Sequence, residues 1–432
     1  MKRHQDSGSY RPDEAFARDL DSQDELAEFR RRFHIPRRSD GSEAVYFCGN
    51  SLGLQPTGVD AAIREELEDW ARLAVDAHFE GRRPWYGYHE IFRDSNARLI
   101  GARPRETVMM NGLTVNLHLM LVSFYRPTGD RFKVLMEDCA FPSDTYAVRS
   151  QIRYHGHDPD EGLIVARPRD GEHTLRTGDI ETLLDERGSE IALVLLGGVN
   201  YYTGQLFDMA RIAAVARRQG CVVGYDLAHA VGNVPLDVHD WDVDFAVWCA
   251  YKYLNGGPGA VAGCFVHERH GATEDLPRLA GWWGNDPSRR FRMHLEPEFR
   301  PFGGADGWQL SNPPILAMAP LRASLEIFDE AGMERLRDKS LRLTGYLRYL
   351  IDRVNDPRVD VLTPRDERDR GCQLSLHVRE RGKELFRALQ DDGIVGDYRE
   401  PDVVRVAPVP LYNTYHEVWR FSETLQRWSR GG

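Results

Sequence analysis

The apolar residues of this chain form runs of two kinds, and together they predict an α/β fold. Short continuous runs rich in β-branched or aromatic residues, bounded by Gly, Pro or Asp, are typical of buried strands. The middle of the chain carries such runs at 191–196, 221–223, 245–249 and 260–266. A helical pattern at 209–219 separates the first two. The order strand, helix, strand predicts a mostly parallel central sheet.

The pattern of apolar residues differs in the last third of the chain, where it predicts a smaller α+β domain. Residues 315–353 are strongly helical, strands are expected near 371–378 and 403–406, and a helix is expected at 383–390. Thr414 and Glu417 form a capping box that starts a terminal helix. We therefore expect an N-terminal segment at 1–44, with its first dozen residues disordered, a large domain at 45–312 and a small domain at 313–432.

Composition and charge narrow the class of protein. The net charge of −11 leaves no basic excess for binding nucleic acid. Six cysteines are scattered without a CxxC pair, which is typical of buried thiols in a reducing compartment. The N-terminus has no apolar signal region and no run reaches membrane-spanning length, so we expect a cytoplasmic protein. His155 and His157 have no partners at metal-ligand spacing, and no metal site is predicted.

Polar residues follow the predicted strands where a parallel sheet would place a ligand. Asp226 and His229 follow the strand at 221–223, and Tyr251 and Lys252 follow the strand at 245–249. A partly desolvated lysine has a lowered pKa and can act as a Schiff-base nucleophile. Alone, Lys252 could extend along apolar surface to reach solvent and Asp226 could cap a helix. Together they favour pyridoxal phosphate, which needs a lysine and a carboxylate beside its ring nitrogen.

Several longer motifs follow one another along the chain: YFCGNSLGLQP (46–56), MNGLTVNLHLML (110–121), FPSD (141–144), YYTGQ (201–205), SNPPIL (311–316), GCQLS (371–375) and RVAPVPLYN (405–413). With these motifs the chain resembles one family, the kynureninases, which are pyridoxal-phosphate hydrolases related to the class V aminotransferases. The resemblance implies the type I fold of pyridoxal-phosphate enzymes and a homodimer with shared active sites. It also implies hydrolytic Cβ–Cγ cleavage of L-kynurenine or 3-hydroxy-L-kynurenine to an anthranilate and L-alanine, in tryptophan catabolism or NAD biosynthesis.

The same resemblance assigns roles to individual residues. Lys252 would hold the cofactor and move the α-proton, Tyr251 would be the acid that protonates Cβ, and Asp226 would keep the ring nitrogen protonated. The remaining cofactor contacts would be Leu113 and Thr114 at the phosphate, Phe141, Asp144 and His229 around the ring, and Trp282 and Asn312 from the neighbouring subunit. Ordinary alternatives are an N-cap at 112–114, a core role for Phe141 and interface packing for Trp282.

Substrate contacts follow from the resemblance as well. Arg405 would bind the α-carboxylate with its planar fork of donors, although a surface role is the alternative. Ser51 would face the amino-acid part of the substrate, unless its loop is a simple turn. The other predicted substrate contacts, near the aromatic ring, are His78, Ser311 and Asn312, and they make 3-hydroxykynurenine a plausible substrate. One departure from the family is Gly197, where a cofactor-contacting serine is common.

Two other functions compete with this prediction. A cysteine desulfurase or selenocysteine lyase would need a mobile nucleophilic cysteine, and Cys372 is the candidate, although it opens an apolar strand. A non-catalytic relative could keep the fold for binding alone. The presence together of Lys252, Asp226, Tyr251 and Arg405 argues against that second alternative.

Overall fold

The computed structural model describes residues 10–273 and 275–431. Its strands, in chain order, are β1 (Val45–Tyr46), β2 (Thr107–Met110), β3 (Lys133–Glu137), β4 (Leu163–Ala166), β5 (Ile191–Gly197), β6 (Val222–Asp226), β7 (Phe245–Cys249), β8 (Ala262–Val266), β9 (Val359–Val361), β10 (Leu374–Val378), β11 (Ile394–Val395), β12 (Asp397–Arg399) and β13 (Val403–Val406).

The α-helices alternate with these strands in the first two thirds of the chain. They are α1 (Glu14–Ser22), α2 (Val59–Leu73), α3 (Ala77–Glu80), α4 (Arg93–Ile100), α5 (Leu113–Phe124), α6 (Pro142–Tyr154), α7 (Pro159–Gly162), α8 (Thr177–Arg187), α9 (Met209–Arg218), α10 (Glu268–Gly271), α11 (Ile315–Ala331), α12 (Met333–Val354), α13 (Gly382–Asp391) and α14 (Tyr415–Arg430).

The central sheet has seven strands in the order β2-β8-β7-β6-β5-β3-β4. Strands β4, β3, β5, β6 and β7 run parallel, and β8 is antiparallel to both of its neighbours. Every residue of β7 and β8 is buried, as expected for strands covered by helices on both faces. The predicted α/β fold with a mostly parallel central sheet is confirmed.

A second sheet carries the core of the C-terminal part. It is antiparallel, in the order β12-β13-β10-β9, and α12, α13 and α14 supply apolar side chains to its core. The capping box predicted for the last helix is present, because Thr414 Oγ1 accepts a hydrogen bond from the Glu417 amide and the Glu417 carboxylate accepts from the Thr414 amide.

The N-terminal segment packs into this second core rather than into the first. Ala17 and Leu20 of α1 lie in the same apolar cluster as Trp428. The Asp21 carboxylate accepts hydrogen bonds from the Tyr415 and His416 amides, at 2.6 and 3.1 Å, and so satisfies the free donors at the start of α14. Residues 1–9, part of the stretch predicted to be disordered, lie outside the described residues. Tyr10 packs against Tyr346 and Tyr349.

The helical run predicted at 315–353 is two helices rather than one. Gly332 stands between them with a φ of 76°, a left-handed value that glycine adopts without strain. Met318 and Leu321 of α11 join the core of the large sheet, whereas Leu343 of α12 joins the second core. The domain limits at 44 and 312 stay a prediction. Leu336 of α12 still packs in the core of the large sheet, so we propose that the chain passes from one core to the other within α12, between Leu336 and Leu343.

No helix among the residues described is long and apolar enough to cross a membrane.

Candidate active site

The candidate site lies at the carboxyl ends of adjacent strands of the central sheet. Glu137 ends β3, Gly197 ends β5 and Asp226 ends β6, and these three strands are neighbours in the sheet. Lys252 follows β7, the next strand in the order. Because β7, β6, β5 and β3 are parallel, these ends meet at one edge of the sheet, where such folds bind ligands.

The amine of Lys252 is held between two aromatic side chains. Its Nζ lies 2.9 Å from His229 Nε2 and 5.7 Å from the centre of the Phe141 ring. Burial and the positive charge of Lys252 hold the pKa of His229 well below its usual range. His229 is therefore a neutral imidazole near pH 7, and its Nε2 can accept a hydrogen bond from the ammonium form of Lys252.

Three carboxyl groups surround the same cavity. Glu137, Asp144 and Asp226 line it together with Phe141 and His229. Asp226 Oδ1 accepts a hydrogen bond from the Ala228 amide at 2.8 Å, which fixes its orientation. Burial, followed by the charge of Asp226, raises the pKa of Asp144 well above its usual range. Negative charges on these buried carboxyl groups would repel one another. The cavity therefore favours a bound cation or a proton kept on one of the carboxyl groups.

Two helix N-termini meet beside this cavity. Leu113 and Thr114 begin α5, Pro142 begins α6, and Thr114 Oγ1 lies 3.1 Å from Ser143 Oγ. Free backbone amides at helix N-termini, together with two hydroxyl groups, form a site suited to a phosphate. Leu113 and Thr114, whose phosphate contacts stay a prediction, lie at this place together with Ser143, which the sequence analysis did not name.

The GNSLG loop (residues 49–53), which carries Ser51, packs directly against the loop that carries Lys252. The Gly53 amide donates to the Tyr251 carbonyl oxygen at 2.8 Å. A Cβ atom on Gly53 would lie 2.3 Å from the Lys252 carbonyl oxygen, so this close approach requires glycine. The contact brings Ser51, predicted to bind substrate, to the same end of the sheet as Lys252. The role of Ser51 toward the substrate stays a prediction.

Arg405 is buried rather than exposed. It stands on β13 with 1% of its side-chain surface accessible, and its Nη2 lies 2.5 Å from Asp397 Oδ2. Its Nη1 donates to the Tyr201 carbonyl oxygen at 2.6 Å, and its Nε has no hydrogen-bond partner among the described residues. The alternative of an ordinary surface arginine is thereby excluded. A carboxylate already occupies one side of the guanidinium fork.

Tyr251 stands beside Lys252 with its hydroxyl protonated. Burial, followed by the neighbouring Cys249, raises the pKa of Tyr251 above its usual value. Its ring lies 5.9 Å from Lys252 Nζ, and about a third of the residue is exposed. A phenol of this kind can donate a proton and does not ionise near neutral pH.

Four predicted site residues are not joined to this cavity within one chain. His78 contacts the Val75 carbonyl oxygen and the Trp85 ring, and Trp282 packs its ring against Trp283. Ser311 and Asn312 are exposed. Across the described ranges, no hydrogen bond or ring contact connects these four residues to Lys252 or Asp226.

The residues present fit pyridoxal phosphate. Two buried polar atoms in the cavity, Asp144 Oδ1 and His229 Nδ1, have no hydrogen-bond partner among the described residues. The ring face of Phe141, a primary amine on Lys252 and a carboxylate on Asp226 are the groups that a protonated pyridine aldehyde requires. The paired helix N-termini supply the place for its phosphate.

Residues 336–425 match the family model of the kynureninase C-terminal domain. The chain is 56% identical over 417 residues to a kynureninase of Myxococcus xanthus, and the match covers 96% of this chain and 97% of that protein. The chain belongs to the kynureninase family. The predicted resemblance, the assignment to a hydrolase family and the dependence on pyridoxal phosphate that come with it are confirmed.

Solved structures show that this kynureninase family member shares its fold with other pyridoxal-phosphate enzymes. A cysteine desulfurase from Thermococcus onnurineus superimposes with a TM-score of 0.73 at 18% identity, covering 90% of this chain and 95% of that one. A C-DES mutant with glycine covalently linked to its PLP cofactor gives a TM-score of 0.74 at 19% identity, covering 91% and 99%. At these identities the likeness concerns the fold, which confirms the predicted class.

The structure weakens the desulfurase alternative. Cys372 is fully buried, and burial raises the pKa of its thiol to about 12. Its amide donates to Asn233 Oδ1 at 2.9 Å, which fixes the backbone. A nucleophilic cysteine needs an accessible thiolate on a mobile loop, and Cys372 offers neither.

Glu106, His239 and His267 form a cluster with metal-ligand chemistry outside this site. The Glu106 carboxylate already accepts from His239 Nδ1 at 2.9 Å and from the Arg103 and Glu268 amides at 2.8 and 2.7 Å. Its oxygens thereby join three segments of the chain, at Arg103, His239 and Glu268, so we assign the cluster a structural role.

Proposed function

We propose that this protein hydrolyses L-kynurenine or 3-hydroxy-L-kynurenine, with water, to an anthranilate and L-alanine. The observation that supports it most is the near full-length similarity to kynureninase at 56% identity, in a chain whose Asp226 and His229 line one cavity with the Lys252 amine 2.9 Å from His229. We infer that the role is in tryptophan catabolism or NAD biosynthesis, because these are the pathways the family resemblance implies.

Lys252 is proposed as the anchor of the cofactor and as the base that moves the substrate α-proton. When bound, pyridoxal phosphate supplies an electron sink for the bonding pair that loss of this proton leaves behind. Neutral His229, 2.9 Å from Nζ, keeps the amine oriented while it accepts and returns the proton. Asp226 holds the proton on the ring nitrogen, and Phe141 orients and desolvates the ring.

Arg405 is proposed as the receptor of the substrate α-carboxylate. Its buried guanidinium offers a fork of donors whose carboxylate partner in the structure is Asp397. The substrate carboxylate would take that partner's place, and Ser51 would face the amino-acid moiety. Tyr251 would donate the proton to Cβ after Cβ–Cγ cleavage, because its phenol stays protonated near neutral pH.

The first experiment measures visible absorbance and anthranilate release for the purified protein, with Lys252→Ala beside it. We expect a yellow protein that forms anthranilate from kynurenine, and a Lys252→Ala variant that does neither. Lys383→Ala is the matched control, because Lys383 is an exposed lysine paired with Glu400 and should behave as wild type. A protein that cannot be reconstituted with pyridoxal phosphate would overturn the proposal. Binding without cleavage would favour another class V activity.

We further propose a homodimer whose active sites are shared. Trp282 and Asn312 would reach the cofactor phosphate of the partner subunit, with Ser311 and His78 near the substrate ring. Exposed Trp282, Phe79 and Phe291 support an apolar contact surface in this region. Six cysteines that form no disulfide are consistent with the inferred cytoplasmic location.

A subunit-mixing experiment tests the shared site. Lys252→Ala and Asn312→Ala homodimers are each expected to be nearly inactive. After co-refolding, the hybrid has one site with both changes and one site with neither, so activity should return. Co-refolding Lys252→Ala with Tyr251→Phe is the control, because both residues belong to the same subunit of a site. Restored activity in the control, or none in the test, would contradict sharing through Asn312.

A further inference from the structure

Glu137 is a buried carboxyl group at the candidate site with no role in the proposed reaction. It ends β3, is 4% exposed and lines the same cavity as Asp144 and Asp226. A buried carboxyl in an apolar sheet is costly unless it is hydrogen-bonded. Its partner is the Gly197 amide, which lies 3.1 Å from Oε1 and 3.2 Å from Oε2.

The position of Gly197 explains how Glu137 comes close to Asp226. Strand β5 lies between β3 and β6, and Gly197 pairs in register with Asp226. A Cβ on residue 197 would lie 3.0 Å from Glu137 Oε1. The middle strand therefore ends without a side chain, and the two carboxyl groups face each other across a glycine.

We propose that Glu137 is a positioning residue for the bound cofactor, which holds the Gly197 end of β5 and adds a carboxyl group whose charge acts on Asp226 and the cofactor ring. This inference rests on the proposed use of pyridoxal phosphate. The inference goes beyond the proposed function because it assigns a role at the site to Glu137 and explains why residue 197 is a glycine.

The electrostatic surroundings of Glu137 support this role. Burial, followed by the charge of Asp226, raises its pKa to about 7. The ionisable groups that line the cavity with Glu137 are Asp144, Asp226, His229 and Tyr201, and the Lys252 amine lies 2.9 Å from His229. The charges of Asp226, Glu137 and Lys252 all act on Asp144. Glu137 can therefore change its charge near neutral pH, and it passes that change to its neighbours.

Glu137→Gln tests the electrostatic part. The amide is nearly the same shape and still accepts from the Gly197 amide, but it cannot become negative. A negative group beside a cationic ring favours the protonated form, so its loss lowers the pH at which the bound cofactor deprotonates. We expect the midpoint of the pH-dependent absorbance change of the bound cofactor to fall by at least about half a pH unit. Glu137→Asp, which keeps the charge, should restore most of the midpoint.

Glu106→Gln is the matched control. Glu106 is another buried carboxylate held by backbone amides, but it precedes β2 at the end opposite Leu113. We expect this variant to lose thermal stability without a shift in the absorbance midpoint. An equal shift in both variants, or no shift in Glu137→Gln, would overturn the proposal. A wild-type protein that fails to bind pyridoxal phosphate would instead refute the proposed function.

A double-mutant cycle tests the contact with Gly197. Gly197→Ala must displace the Glu137 carboxyl, and we expect it to weaken cofactor retention, measured as the rate of absorbance loss on dilution. In a Glu137→Ala background the space is vacant, so the same glycine substitution should have little further effect. Additive effects of the two substitutions would show that Glu137 does not act through Gly197.

Discussion

Replacing Asp397 tests whether Arg405 exchanges one carboxylate partner for another, as the proposed function requires. The first partner is Asp397 and the second is the substrate α-carboxylate. In the structure Asp397 occupies the guanidinium fork, and a substrate carboxylate would have to exchange with it. Asp397→Asn keeps the shape and one acceptor oxygen but removes the charge. We expect the variant to be less stable without substrate and to bind the substrate carboxylate more tightly.

The magnitude follows from the burial of the pair. Breaking a buried ion pair costs about 3–5 kcal/mol when one charge is left without any partner. Arg405 keeps its bond to the Tyr201 carbonyl oxygen and one bond to the asparagine, so we expect a loss of about 2 kcal/mol. In wild type the substrate must break the Arg405–Asp397 pair, and in the variant this free-energy cost is smaller by the same amount. At 1.4 kcal/mol for each factor of ten, substrate affinity should rise by about 25-fold.

The assay combines two measurements on the holoenzyme. One is the thermal unfolding midpoint, and the other is the inhibition constant of L-alanine, a product that carries the carboxylate but no ring. Asp360→Asn is the control, because Asp360 pairs with Arg379 on the exposed surface of the same small sheet and contributes little. Weaker alanine binding in Asp397→Asn would show that Asp397 holds Arg405 in its working position, and would refute the exchange.

Three further predictions concern single side chains. Tyr251→Phe should lower kcat by at least about tenfold with a small change in KM, because only the proton donor is lost, and steady-state anthranilate release measures both. Cys372→Ser should retain kynurenine cleavage, whereas loss of activity without loss of folding would revive the desulfurase alternative. Because the raised pKa of Glu137 makes the folded chain hold a proton that the unfolded chain releases above about 4.5, stability falls as pH rises from there to about 7. Cofactor-free Glu137→Gln should therefore be more stable than wild type at about pH 8 and not at about pH 5, and equal melting curves at both pH values would contradict this.

The sequence predicted the central strands well for a physical reason. A parallel strand covered on both faces is apolar along its whole length, so β5 and β7 stand out without knowledge of their partners. Asp226 at the end of β6 and Lys252 after β7 could then be assigned from chemistry alone. Helix breaks are harder, because Gly332 is a single residue in a long helical pattern.

The missed contacts all join residues that are distant along the chain. Glu137 meets Gly197 sixty positions later, and no local pattern distinguishes it from a polar residue at the end of a strand. The sequence does not predict Asp397 as the partner of Arg405, because the two residues meet only through the pairing of β12 with β13. Ser143 acquires a role only because α5 and α6 begin side by side. Sequence patterns identify elements, whereas these contacts depend on how the elements are arranged.

The capping of α14 by Asp21 has a consequence for biosynthesis. The two partners are separated by 394 positions, and Tyr415 belongs to the core that includes Ala17 and Trp428. During translation, α1 leaves the ribosome first, and the helices that it packs against, α12 and α14, follow only near the end of the chain. The central sheet can assemble meanwhile, since its strands lie between residues 107 and 266. The C-terminal core therefore closes last, and a nascent chain stalled before residue 415 exposes the apolar face of its own beginning.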